Sequence, residues 1–473
     1  MTAGHGQRSS PYLPLSDLAK RIETKKLSPI ELTESYLARS EKLGPRFGAY
    51  AKLLPDLALE QARKAEKEIR SGRYRGALHG MPYAAKDLLS VRGFPTTWGA
   101  KPYAKQSFPE DAAVIEHLNR AGAVLLGKAA MIELAGGMGY RFASASLTGP
   151  AKNPWNTDYW TCGSSSGSGA IMAAGLAAFT IGTETWGSIV CPSGFCGVSG
   201  LRPTFGRVSR FGAMALSYSM DKIGPICRTA EDCARVFAVI AGHDPRDRGT
   251  LPLDKAAFTY SPATEPRRGP LRIGSLTNAW KNVEANVAKT IAEAVRVLRK
   301  RFPGIKEARL PEGPFEAAGN VIIAVEGASA FGELIRSGRV AELDDPLGQI
   351  NGYVNQSISG SDYVTALRIR EILQKKMDDL FQQFDVLVAA SLPVTACTLD
   401  TNLETGLDFP DPLGGIGNLC GLPALSVPCG FDSKNLPVGL QFVARAGDDL
   451  AAIQVARAYQ QLTNWHLKHP RTV

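Results

Sequence analysis

Thr161-Cys162-Gly163-Ser164-Ser165-Ser166-Gly167-Ser168-Gly169 is followed, about two dozen residues on, by Gly182-Thr183-Glu184-Thr185-Trp186-Gly187-Ser188-Ile189-Val190-Cys191-Pro192. Both stretches set serines among glycines. They lie in a region, residues 150–225, that is rich in Gly, Ser and Pro yet apolar. A disordered linker would be polar, so this composition suits loops packed inside a protein around a site. A nucleophilic serine needs such surroundings, because backbone N–H groups must come close to a substrate carbonyl to form an oxyanion hole. Simple turns use the same residues, so composition alone does not decide between the two.

Working outward, the chain has 473 residues, 44% of them hydrophobic and 21% charged. That is an ordinary soluble globular composition, long enough for one large α/β domain or two to three smaller ones. The net charge of +9 reflects a modest Lys/Arg excess over a soluble surface. Neither an aromatic-plus-basic RNA-binding signature nor a paired Cys/His finger is present, so no nucleic-acid partner is expected. No run of about 20 apolar residues occurs, and residues 1–11 lack the pattern of a signal peptide. The eight cysteines (Cys162, Cys191, Cys196, Cys227, Cys233, Cys397, Cys420 and Cys429) include no CxxC pair. The reading is reduced, buried thiols in a cytoplasmic protein.

Periodicity predicts helices over 16–26, 29–43 and 56–70, the second opened by Ser28-Pro29-Ile30-Glu31 with Ser at the cap and Pro at the first position. Strands are expected at 80–87, 123–127, 271–274, 385–390, 425–428 and 439–443, and further helices at 112–121, 283–302, 315–337, 361–384 and 449–463. The polar, Pro-rich stretch 244–269 reads as an exposed excursion. This alternation predicts a single large α/β domain with a mixed β-sheet core covered by helices. A helical N-terminal section, 1–75, would pack on a core, 76–473, whose variable middle, about 244–380, faces substrate.

A serine nucleophile also needs a base. Of the six histidines, His5, His243, His466 and His469 look peripheral and His117 sits in an amphipathic helix. Lysine is the alternative, provided burial lowers its pKa enough to leave it neutral. Lys86 fits, directly after Met81-Pro82-Tyr83-Ala84-Ala85, although the adjacent Asp87 offers it a plain ion-pair role instead.

The motifs together resemble the amidase signature family. Residues 162–168 are similar to its Gly-Gly-Ser-Ser-Gly-Gly-Ser segment, and 182–192 to its Gly-Thr-Asp-x-Gly-Gly-Ser-Ile-Arg-x-Pro segment. Residues 195–204, 206–209, 220–225, 418–423 and 436–441 continue the match. The resemblance implies an amide hydrolase with Ser188 as the acylated serine, Ser164 as a bridging serine preceded by a cis peptide bond, and Lys86 as base. Ser165 becomes a hydrogen-bonding support. The backbone N–H groups of Thr185, Trp186, Gly187 and Ser188 become the oxyanion hole. Gly137, Met138, Tyr140, Trp186 and Val190, with residues from 310–360, are expected to border the substrate. No cofactor and no metal are implied. The partner would be a small amide, or a carbamate or ester, taken by a monomer or homodimer away from membranes.

Three departures stand out: Trp186 where the family has Gly, Val190 where it has Arg, and Glu184 where it has Asp. The first two suggest an apolar, less anionic substrate. Rival readings are a glutamine-hydrolysing subunit of a tRNA-dependent amidotransferase complex, a non-catalytic scaffold, and an α/β-hydrolase esterase using Ser165 through Gly163-Ser164-Ser165-Ser166-Gly167. Residues 122–129 approach a phosphate-binding loop but lack its final Ser/Thr, and read as a core strand.

Overall fold

The computed structural model describes residues 10–253, 258–260, 271–280, 282–407 and 409–471. The strands among these residues are β1 (Tyr50–Leu53), β2 (Pro82–Lys86), β3 (Val124–Ala129), β4 (Lys152–Asn153), β5 (Asn156–Trp160), β6 (Phe179–Glu184), β7 (Ser199–Arg202), β8 (Lys222–Cys227), β9 (Ile273–Leu276), β10 (Lys306–Ala308), β11 (Val386–Ala390), β12 (Ala424–Phe431) and β13 (Pro437–Ala444). Among the described residues, eleven form one mixed sheet in the order β1-β3-β2-β6-β8-β7-β12-β13-β11-β9-β10, while β4 and β5 form a separate hairpin. β2 lies parallel to both β3 and β6, and β11, β9 and β10 are parallel to one another. The intervening pairs are antiparallel. This is the expected single α/β domain with a mixed sheet flanked by helices.

The central strands β2, β3, β6, β7 and β8 are buried at every position. β2 and β3 accordingly read as mostly apolar runs rather than as alternation, whereas β6, β7 and β8 bury Thr, Glu, Ser, Arg and Lys side chains as well. The stretch that approached a phosphate-binding loop is β3, and its Lys128 is buried beside Asp87 at 2.8 Å.

The N-terminal helices are Leu15–Glu23, Pro29–Phe47 and Pro55–Arg70. Ser28 caps the second, its hydroxyl accepting from the N–H groups of Ile30 and Glu31. Ser16 caps nothing, because the first helix begins one residue earlier. The edge strand β1, which its four-residue length hides from periodicity, continues the sheet from this section. The helix expected over 315–337 divides into Phe315–Ala330 and Gly332–Arg336.

Two expectations need correction. The excursion over 244–269 lies partly outside the described residues, but residues 244–250 do not stand free. Asp244 and Asp247 are buried and hold Ser209 and Arg210, because each carboxylate finds hydrogen-bond donors on the core side. The cysteines are not all reduced: Cys162 and Cys191 form a disulfide, with Cα atoms 5.9 Å apart. Sequence spacing hid it, since the pair meets only when the two Gly/Ser-rich stretches fold against each other. The other six thiols are free.

Candidate active site

Three neighbouring elements deliver the three side chains. Lys86 ends β2, and β6 runs alongside β2 in parallel register, Ala85 opposite Ile181. Ser188 lies in the turn between β6 and the helix Val190–Cys196. Ser164 lies in the loop before the helix Ser166–Ala174, which is buried along its whole length. These two helices pack on each other; Ser166–Ala174 leans on β6, and Val190–Cys196 on β12 and β13. The Cys162–Cys191 disulfide ties the Ser164 loop to the helix that follows Ser188. The Gly163–Ser164 peptide is cis, as the resemblance implies.

The side chains form a continuous hydrogen-bonded chain. Lys86 Nζ donates to Ser164 Oγ at 2.7 Å and to Thr183 Oγ1 at 2.9 Å, and Ser164 Oγ donates to Ser188 Oγ at 3.0 Å. Lys86 is fully buried. Burial pushes its amine down to about 7, against the opposing pull of Asp221 and Glu184. Asp87 is not its partner. Successive residues of a strand point to opposite faces, so Asp87 turns away to Lys128, Thr97 N–H and the Thr97 hydroxyl. No histidine among the described residues joins the chain.

Ser165 is likewise buried, and its hydroxyl donates to Thr183 O (3.2 Å) while accepting from Thr183 N–H (3.3 Å). Both hydrogen-bonding directions are spent on holding β6, which leaves this serine a support and weighs against its use as a nucleophile.

The segment between β6 and Ser188 is fixed at both ends. Thr185 Oγ1 donates to Asp221 at 2.5 Å. On the far side, Glu184 Oε2 accepts the N–H groups of Ile189 (2.9 Å) and Val190 (3.0 Å). Burial alone would raise the Glu184 carboxyl, but Arg202, 2.7 Å away, together with Lys222 and these N–H groups holds it at about 2. Among the described residues, no acceptor takes up the N–H groups of Trp186, Gly187 and Ser188, which leaves them available to a ligand oxygen.

The residues expected to border the substrate separate into two groups. Tyr140 is half-buried over Gly163, where an added Cβ would come 3.1 Å from its hydroxyl. Trp186 is half-buried beside Ser188, and its Nε1 donates to Asp411 Oδ2 at 2.8 Å. Met138 and Val190 are buried in the core, and Gly137 packs against Leu216 and Phe331. Thr183, Asp221, Asp411 and Arg202 escaped the reading of the sequence. Thr183, Asp221 and Arg202 lie inside the matched motifs, but Asp411 carries no local signal beyond Pro on either side.

A cavity of about 390 Å³ opens beside Thr183 and Thr185, floored by Leu88, Met214, Leu216 and Ile223. None of Lys86, Ser164 and Ser188 lines it. Arg210 and Arg246 on its wall are already paired, with Asp247 and with Asp244 and Glu116.

A family model described as Amidase matches residues 31–452. The chain is 37% identical to a glutamyl-tRNA(Gln) amidotransferase subunit of Chloroflexus aurantiacus, over 94% of this chain and 96% of the relative. Among solved structures it is similar to the native peptide amidase of Stenotrophomonas maltophilia, with TM-score 0.82 and 30% identity over 95% of this chain and 97% of that one. It is also similar to a chain from a vestigial protein complex bearing on the origins of an s-triazine catabolic enzyme, with TM-score 0.85 and 28% identity over 95% and 98%.

Proposed function

The chain belongs to the amidase family and acts on carbon–nitrogen bonds, and on that footing we propose that it hydrolyses a small, uncharged carboxamide through an ester on Ser188. The observation that carries this reading is the chain Lys86 Nζ–Ser164 Oγ–Ser188 Oγ, with links of 2.7 and 3.0 Å. Once the two hydroxyls rotate so that Ser188 donates to Ser164 and Ser164 to neutral Lys86, Lys86 takes the Ser164 proton while Ser164 takes that of Ser188, and Ser188 Oγ attacks the carbonyl carbon. The N–H groups of Thr185, Trp186, Gly187 and Ser188 receive the developing oxyanion. The relay reverses to protonate the leaving nitrogen as the C–N bond breaks. Water, deprotonated through the same chain, then cleaves the ester and releases the acid.

The uncharged substrate is argued from Val190, an apolar residue two positions past the nucleophile that puts no cation there. Carbamates and amide-like esters present the same carbonyl. The second reading is a glutamine-hydrolysing subunit within a tRNA-dependent amidotransferase complex. Its support is the amidotransferase relatives, and on whole-chain likeness it is the better supported of the two. The purified chain, assayed alone on uncharged carboxamides, anilides, carbamates and glutamine, separates them. Turnover of uncharged amides without a partner is expected; hydrolysis of glutamine alone would replace the first reading by the second.

A further inference from the structure

The segment 185–188 is tied at its start by Thr185 to Asp221 and just past its end by Glu184 to Ile189 and Val190. Its middle is held by one backbone bond, Gly187 O accepting Cys191 N–H at 2.7 Å, and Gly187 has little packing of its own. Gly187 has φ +78°, and a Cβ placed on it would meet nothing within 4 Å. The side chain of Trp186 is what reaches out from this middle. Its Nε1 donates at 2.8 Å to Asp411, 225 positions along the chain. Asp411 is itself fixed: its Oδ1 accepts Gly414 N–H at 2.7 Å, and its own N–H donates to Glu316 Oε2 at 3.0 Å.

The indole's six-membered ring lies against two glycines on two helices. A Cβ on Gly319, in Phe315–Ala330, would come 2.6 Å from Cζ3. A Cβ on Gly415, in Pro412–Leu419, would come 3.0 Å from Cη2 and Cζ2. Neither glycine has a positive φ, so what glycine supplies at both places is room for this ring. A side chain that merely narrowed the substrate space would have neither a tether nor a slot.

We propose that Trp186 and Asp411 form a strut, seated between Gly319 and Gly415, that fixes the oxyanion-binding backbone. Trp186 is then a positioning residue that acts through its own N–H and that of Gly187, rather than a wall against the substrate. The proposal rests on the reading of Ser188 as nucleophile. A strut of this kind matters because a displacement of about 1 Å in a catalytic array costs about 100-fold in rate.

The test is the second-order rate of Ser188 phosphonylation by a fluorophosphonate in the full-length chain, with the adduct located by peptide mass mapping. Trp186→Phe and Asp411→Ala should each slow labelling about ten-fold. The double variant should be no slower than the slower single, because both remove one tether. Gly319→Ala should slow labelling in the wild-type background and have no further effect in Trp186→Phe, which keeps the proposal testable if Asp411→Ala does not fold. With any carboxamide turned over, kcat should fall while KM holds. Wild-type labelling rates in Trp186→Phe, multiplicative losses in the double variant, or a change confined to KM would overturn the strut. No adduct on wild-type Ser188 would instead sink the nucleophile reading, and the strut with it.

Discussion

Lys86 can accept a proton only when neutral, and burial lowers its amine to about 7 against the pull of Asp221 and Glu184. In the proposed mechanism it is protonated and idle below that pH, and free to act as base above it. The kcat/KM for amide hydrolysis should therefore climb with pH through about 7 and level off. A pH–rate profile that is flat from 6 to 9 contradicts Lys86 as base. Lys86→Ala should lower kcat/KM by about 10²–10⁴-fold, the usual contribution of a positioned base. The burial of this lysine was legible from its apolar run, and its place in the proposed relay came from the long motif match. Its freedom from Asp87 was not, because that depends on which face of β2 each side chain takes. Asp411 was illegible for a different reason: its partner Trp186 is distant in sequence, and no local pattern joins them.

At the scale of elements, Glu184 joins β6 to the helix Val190–Cys196 and, through Arg202, to β7. Asn418 also donates to it at 3.2 Å. Glu184→Gln leaves Arg202 buried without a countercharge, which typically costs about 3–5 kcal/mol. Chemical denaturation should show that loss, and a variant as stable as the parent would mean the pair is not holding these elements. The Cys162–Cys191 bridge closes a separation of 29 residues. Its reduction, or Cys191→Ser, should lower stability by about 2–4 kcal/mol, read as a shift of the urea midpoint. Helices with caps or strong periodicity, such as Pro29–Phe47 and Pro55–Arg70, and apolar strands such as β11 were legible beforehand. The bridge was not, since reduced thiols are the natural reading of a long chain without CxxC pairs. The four-residue β1 was too short to show a period.

For the molecule as a whole, the large mixed sheet does one specific thing for the chemistry: it sets β2 beside β6, so that Lys86 and the Ser188 turn emerge together. The helix Ser166–Ala174 then brings the Ser164 loop to them. Alternation of strands and helices made the class of fold legible. The strand order was not, because β8, β7 and β12 pair across stretches that share no local signal. Among the described residues, no helix is long and apolar enough to cross a membrane. The proposal of a free-standing hydrolase predicts turnover by the purified chain with no other protein added. The central claim, that Ser188 carries the acyl group, is tested most directly by trapping. The chain is treated with a fluorophosphonate and the modified peptide is mapped by mass spectrometry. The account predicts a single adduct on Ser188 in the parent and none in Ser188→Ala. An adduct on Ser165, or labelling and activity that survive Ser188→Ala, would contradict it.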